Sequence, residues 1–401
     1  MTQPWLSIIG IGENGWSDLS TTARSLIDQA QILIGGQRHL DLIPPGKQER
    51  FVWLTPISES IAQIQSHQGQ RVCVLASGDP MCYGIGNTLL RSISRSEMEI
   101  IPAPSAFSLA AAKLGWDLGQ VSTISLCGRP PEALNLLVTN NARILILSSD
   151  KTTPKIVAKQ ITQQGFGLSE MQVLEHLGGP KENVIRAIAS QWDYSGADLN
   201  LIALTCKAEA NHRGFSRLAG LPDTAYIHDG QLTKREIRTI TLAALAPLPG
   251  ELLWDVGSGC GSIAIEWMRS HPNCRAIAIE HHPTRLENIA QNANTLGVPG
   301  LQIQPGTAPT ALTNLPPPDA IFIGGGLTAD GVFDRCWAAL PSGGRLVANG
   351  VTIESERLIL NQQAILGGEL LRISVERTYA IGRFLGWKAL SPIIQWQVIK
   401  P

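Results

Sequence analysis

LLWDVGSGCGSIAIEW, residues 252–267, opens with an apolar run that ends in Asp255. Three glycines follow at alternate positions, Gly257, Gly259 and Gly261, and then a stretch with helical spacing. A strand, a glycine turn and a helix in that order form the first unit of an α/β domain that holds a nucleotide-like ligand. A dinucleotide site carries G-x-G-x-x-G with an acid about 20 residues on. Here the spacing is G-x-G-x-G, Asp255 stands just before it, and Glu280 closes the next apolar run. A pyrophosphate needs backbone N–H donors at a helix N-terminus and no carboxylate close by. A ligand with a cationic end tolerates Asp255, and a ribose with two free hydroxyls suits Glu280. S-adenosylmethionine has both features and no phosphate. Glycine at 259 lets the backbone come close to such a ligand, where a Cβ would collide.

The residues around this turn keep an α/β rhythm. TKREIRTITLAALAPL (233–248) is amphipathic, with Thr233 as the expected N-cap and Glu236 at the capping-box position. Strands are predicted at RAIAIE (275–280), LQIQPG (301–306), AIFIGGG (320–326) and GRLVANG (344–350), with helices over PTRLENIAQNANTLG (283–297), GVFDRCWAAL (331–340) and 354–366. LLRISVERTYA (370–380) and IIQWQVIK (393–400) then follow without an intervening helix, so they pair antiparallel. Residues 233–399 resemble the class I S-adenosylmethionine-dependent methyltransferases, a Rossmann-like sheet ending in an antiparallel hairpin. The resemblance implies cofactor contacts at Thr233, Asp255, Gly257, Ser258, Gly259, Cys260, Gly261 and Glu280. It also places the adenine at the GTAP turn, Gly306–Pro309, with Ala308 in contact.

The first 206 residues read as two small α/β lobes in series. WLSIIGIG, QILIGG, RVCVLAS and EMEIIPA give the strands of the first lobe. In the second, VSTISLCG, ARILILSS, MQVLEHLG and LNLIALTC read as strands, with TPKIVAKQITQQG and KENVIRAIASQW as helices. Three elements stand out: GIGENG (10–15), ASGDPMCYGIGNTLL (76–90) and PAPSAFSLAAAKLG (102–115). They resemble the tetrapyrrole methylase family, the class III methyltransferases, over roughly residues 5–206. That resemblance implies a folded S-adenosylmethionine in a cleft between two lobes, met by Gly78, Asp79, Cys82, Ser105 and Ala106. The family's first loop runs G-x-G-P-G, and this chain has Glu13 and Asn14 in its place.

A chain of 401 residues is long enough for two or three domains. The expected division is 1–207, a linker over 208–222, and 223–401. Only 16% of residues are charged and the net charge is −1, which argues against a basic nucleic-acid-binding surface. Seven scattered cysteines with no C-x-x-C suit a reducing compartment. No uncharged apolar stretch approaches the roughly 18–20 residues that span a bilayer. The expectation is a cytoplasmic protein bound to no membrane. His281 and His282 are adjacent, so their side chains point apart, and no metal site is expected.

IGGQRHLDLI (34–43), LASGDPMCYGIG (75–86) and GLPDTAYIHDGQLTKREIRTITLAAL (220–245) together resemble the precorrin-6Y C(5,15)-methyltransferase (decarboxylating) family of cobalamin biosynthesis. The resemblance covers essentially the whole chain. It implies two S-adenosylmethionine sites, methylation of a tetrapyrrole at ring carbons 5 and 15, and loss of carbon dioxide from the carbon-12 acetate. Carbon 5 falls to the N-terminal domain, and carbon 15 with the decarboxylation to the C-terminal one. It also implies homo-oligomers. A substrate rich in carboxylates calls for cations, and Arg38, His39, Arg129, Lys234 and Arg238 are the candidates. Cobalt-containing precorrins or another tetrapyrrole are alternative substrates. An oxidoreductase and a non-catalytic tetrapyrrole carrier are the competing readings. The glycine spacing and Asp255 argue against the first, and Glu13 is the one feature that suggests the second.

Overall fold

The computed structural model describes residues 4–210, 212 and 214–401. Residues 1–3 of the expected first domain, and 211 and 213 of the expected linker, lie outside the described residues. The chain divides into two compact units. One takes the described residues of Met1–Pro131 and Thr139–Arg213, and the other Glu132–Val138 and Gly214–Pro401.

The first unit holds two five-stranded sheets. β1 (Leu6–Ile11), β2 (Ile32–Gly35), β3 (Glu49–Val52), β4 (Val72–Ser77) and β5 (Met98–Ile101) form a parallel sheet in the order β3-β2-β4-β1-β5. Its central strands are apolar at nearly every position because helices cover both faces. Gly10 is required near the end of β1, since a Cβ there would strike the Gly78 carbonyl and the Ala103 amide. The loops of β1, β4 and β5 therefore meet at one edge. The second sheet contains β6 (Ser122–Ser125), β7 (Arg143–Leu147), β8 (Glu170–Glu175), β9 (Asn183–Ile188) and β10 (Asn200–Thr205), in the order β6-β7-β10-β8-β9. Only β6 and β7 run parallel in it.

The helix expected over 181–192 is instead β9, paired antiparallel with β8 from Glu170↔Ile188 to Glu175↔Asn183. β9 is an edge strand whose residues are exposed or half-buried on both faces, which blurs the two-residue alternation. Its β-branched Val184, Ile185 and Ile188 suit the strand.

In the second unit the strands are β11 (Leu252–Val256), β12 (Arg275–Glu280), β13 (Gln302–Pro305), β14 (Ala320–Ile323), β15 (Arg345–Gly350), β16 (Glu369–Ile373), β17 (Glu376–Ile381), β18 (Phe384–Ala389) and β19 (Ile393–Ile399). The main sheet runs β13-β12-β11-β14-β15-β19-β16, parallel except for β19, which is antiparallel to β15 and β16. Alternate residues of β11 enter opposite cores. Leu253 packs with the helices Arg235–Leu245, Ser262–Ser270 and Pro283–Thr295, and Trp254 with Val332–Ala339 and Ile353–Leu366. The strand order reverses between β11 and β14, and the carboxyl ends of strands at such a reversal leave a crevice. The expected antiparallel end is present, with one addition. β17 and β18 form a separate ribbon between β16 and β19, joined by a two-residue loop, Gly382 and Arg383.

The helix predicted from Thr233 begins instead at Arg235, with Lys234 as N-cap and no side-chain cap bond. Asp223 Oδ1 takes the Arg235 N–H at 3.0 Å, and Glu236 pairs with Arg377 at 2.5 Å rather than closing a capping box. The stretch before this helix is pinned by one buried carboxylate. Glu266 accepts from the Gly220 N–H (2.6 Å), the Leu221 N–H (3.1 Å), the Tyr226 hydroxyl (2.8 Å) and Arg238 Nε (2.6 Å). Glu266→Ala leaves the Arg238 charge buried without its closest carboxylate. Denaturant unfolding of the second unit is expected to show a loss of about 3–5 kcal/mol. The double variant Arg238→Met/Glu266→Leu recovers part of that loss, because it leaves no unpaired charge.

Candidate functional site

The turn after β11 opens onto a cavity of ≈ 650 Å³. Thr233, Lys234, Gly257, Ser258, Gly259, Glu280 and Ala308 line it, as do Gly324–Gly326 and Asn349. Gly257 (φ +70°) and Gly259 (φ +61°) lie in the left-handed region. A Cβ on Gly257 would stand 2.8 Å from the Gly325 backbone, so the loop after β14 can close in only against glycine. At Gly259 the crowding comes from the chain itself, since a Cβ would lie 3.1 Å from the Gln231 carbonyl.

Four of the N–H groups of this turn are already bonded within the protein. The N–H groups of Gly257 and Ser258 donate to the Ile279 carbonyl (3.1 and 3.0 Å), that of Gly259 to Glu280 Oε2 (2.9 Å), and that of Gly261 to the Ser258 carbonyl (3.0 Å). Glu280 also accepts from the His281 and His282 N–H groups through Oε1 (2.9 and 3.0 Å). The wall therefore presents a carboxylate and carbonyls rather than a cradle of free N–H groups. Asp255, Cys260 and Gly261 do not reach it. Asp255 is buried behind the turn, where Oδ2 accepts from the Ser258 hydroxyl (2.6 Å) and the Ala264 N–H (3.1 Å). Burial pushes its carboxyl up to about 6, against the pull of those two bonds. Through Oδ2 it supports the N-terminus of the helix Ser262–Ser270, and it is not on the cavity wall. Cys260 is buried, and burial pushes its thiol up to about 11.

In the first unit a cleft of ≈ 360 Å³ lies between the two sheets' loop edges. Gly78, Asp79, Cys82, Ser105 and Ala106 all border it. Gly78 takes a φ of +54°, Asp79 Oδ1 caps the Met81 N–H (2.8 Å), and the Ser105 hydroxyl caps the helix Ala106–Leu114 through the Ser108 N–H (3.1 Å). Burial raises the Cys82 thiol, with Asp79 adding to the effect and a bond to Ser105 opposing it. Sequence reasoning did not bring Glu13, Ser77 or His176 to this wall. Their signal is positional, because Ser77 ends β4, Glu13 follows β1 and His176 follows β8.

The basic candidates separate. Lys234 lines the larger cavity and Arg38 the cleft. Arg38 is nonetheless engaged, ion-paired with Glu13 and donating to His39 Nε2 (2.8 Å) and Ser77 Oγ (3.1 Å). His39, Arg129 and Arg238 are not on either wall. Arg129 lies over the Tyr83 ring at 4.7 Å. Arg238 is wholly buried between Glu266, the Tyr226 ring and the Thr233 carbonyl, so the face it shares with Lys234 turns into the core there. His281 and His282 have ring centroids 6.5 Å apart, and among the described residues no group of three His, Cys, Asp or Glu is placed to hold a metal. Among the described residues no helix is long and apolar enough to cross a membrane.

His39 is buried beside the Arg38 guanidinium. Burial first, and then Arg38, lower its imidazole from 6.5 to about 4, while Glu13 works the other way. The folded state thus favours the neutral ring, and the unfolded chain binds more protons between those two values. Stability of the first unit is expected to be full above pH 6.5 and to fall by about 3 kcal/mol as the pH drops to about 4. His39→Gln flattens that slope in denaturation curves taken across the same range, and an unchanged slope refutes the assignment.

Residues 6–192 match the tetrapyrrole (corrin/porphyrin) methylases, and residues 224–400 match a precorrin methyltransferase domain. A Sinorhizobium protein named precorrin-6Y C(5,15)-methyltransferase [decarboxylating] is 46% identical, over 100% of this chain and 97% of its own. A Mycobacterium tuberculosis protein of the same name is 39% identical over 98% and 99%. A crystal structure of the C-terminal domain of the Rhodobacter capsulatus precorrin-6Y C5,15-methyltransferase is 47% identical, with a TM-score of 0.44. It covers 46% of this chain and 100% of that one. The two matched domains, in this order and over this length, place the chain in the precorrin-6Y C(5,15)-methyltransferase (decarboxylating) family.

Proposed function

We propose that the chain methylates a precorrin at ring carbons 5 and 15 and removes the carbon-12 acetate carboxyl as carbon dioxide. In this reading each unit binds one S-adenosylmethionine. Carbon 15 and the decarboxylation belong to the second unit, and carbon 5 to the first. The full-length relatives carry the name of this reaction. The observation that supports the cofactor is the donor inventory of the 257–261 turn. Four of its N–H groups are consumed inside the protein and a carboxylate faces the cavity. Such a wall suits a ribose diol and repels a pyrophosphate. When bound, the cofactor supplies an activated sulfonium methyl, so the protein's task is to align an electron-rich ring carbon with it and keep water away. Glu280 Oε2 accepts only one N–H, which leaves it an acceptor position for a ribose hydroxyl, and the Gly306–Pro309 turn lies at the same cavity for the adenine. Lys234 and Arg285 are cations on that wall; Arg285 is held by Asp229 at 2.8 Å, and Lys234 is the one assigned to a substrate carboxylate. In decarboxylation the electron pair of the broken carbon–carbon bond passes into the conjugated macrocycle. The same reading makes the chain a cytoplasmic homo-oligomer.

Calorimetric titration with S-adenosylhomocysteine is expected to give two sites per chain, and titration with NAD none. Glu280→Ala weakens one of the two sites, and Asp79→Ala the other, each by about 10- to 100-fold. One site per chain, or binding of NAD, overturns the reading.

A further inference from the structure

His176 follows β8 with a φ of +46°, in the left-handed region. A non-glycine residue stays there only where its surroundings hold it, and such strain gathers at functional sites. The backbone is fixed from both sides. The His176 N–H donates to the Leu199 carbonyl (3.2 Å), and its own carbonyl accepts from the Gly179 N–H (3.0 Å). The ring is thereby carried onto the wall of the cleft, which it shares with Gly78, Ser105 and Ala106. Nδ1 lies 2.8 Å from Glu13 Oε2. The other Glu13 oxygen pairs with Arg38, and Glu13 packs so close to Gly179 that a Cβ there would stand 2.5 Å from its own. A carboxylate against Nδ1 keeps the ring proton on that nitrogen and leaves the lone pair on Nε2. Among the described residues no group bonds Nε2.

We propose that His176 is the general base for methyl transfer in this cleft, with Glu13 as the residue that positions it. The proposal rests on reading the cleft as a site of tetrapyrrole methylation. A π-electron pair of the ring forms the new carbon–carbon bond, and the electron pair of the broken S–CH₃ bond stays on sulfur as a neutral thioether. The positive charge moves to the ring system, which acidifies a pyrrole N–H, and that proton passes to Nε2. No oxidant or reductant is consumed. The imidazolium that results faces Glu13, which Arg38 holds in place, so the new charge forms beside a fixed carboxylate. The arrangement of a base aimed by a third group is that of nucleophile-activating triads, used here on a carbon acceptor's proton. His39 cannot serve in its place, because its Nε2 already accepts from Arg38.

The test uses the full chain with a precorrin and labelled S-adenosylmethionine, and reads each ring carbon separately. In His176→Ala, kcat for carbon-5 methylation is expected to fall by about 100-fold or more. KM and S-adenosylhomocysteine affinity should hold within about threefold. Added imidazole restores the rate, and carbon-15 methylation with decarboxylation continues, which reports an intact chain. Glu13→Gln lowers kcat less, and imidazole does not restore it. An unchanged kcat in His176→Ala, a loss that tracks weakened cofactor binding, or a failure of imidazole rescue overturns the assignment. A wild-type chain that binds S-adenosylhomocysteine in this cleft yet never methylates carbon 5 overturns the functional reading, and the base with it.

Discussion

The Glu280 carboxylate is the joint on which the second unit's cavity turns. It takes the N–H of Gly259 from the turn after β11 and those of His281 and His282 from the start of the next helix. One buried side chain thus ties two consecutive βα corners together. Its charge is paid for by backbone dipoles rather than by a cation, as buried charge requires partners. Glu13 has the corresponding place in the first unit, between Arg38 on one side and His176 on the other. The two cavities belong to unrelated folds, and each is organised by a carboxylate at the end of a parallel strand.

Much of this architecture is legible in the residues. β11, β12 and the helix after them follow from apolar runs and a glycine triplet, because a strand buried on both faces reads as a nearly continuous apolar run even with Asp255 inside β11 and Glu280 closing β12. The cleft residues Gly78, Asp79, Ser105 and Ala106 are equally legible, since each sits in a short turn whose geometry is local. What escaped is what depends on distant chain. Arg238 carries the helical spacing of a surface cation, and only Glu266 and Tyr226 reveal that its face is inward. Asp255 reads as a ligand contact because it precedes the turn. Ser258 and Ala264 hold its Oδ2 behind the turn, a contact that depends on the fold of the following helix.

Strand β9 and the β17–β18 ribbon mark a second limit. Both are weakly covered, so neither shows a clean alternation of apolar and polar residues. The ribbon's signal is nevertheless present at Gly382, whose φ of +57° fits a two-residue hairpin loop. Such a loop needs little sequence to specify it, and it is lost within the longer run of mixed residues around it.

The residues lining the larger cavity all come from the second unit, and those lining the cleft all come from the first. Joining the two on one polypeptide has a consequence of its own. What it changes is stoichiometry. Every copy of the chain delivers one cavity of each kind, so their ratio is fixed at translation and is insensitive to the separate regulation or loss of either half.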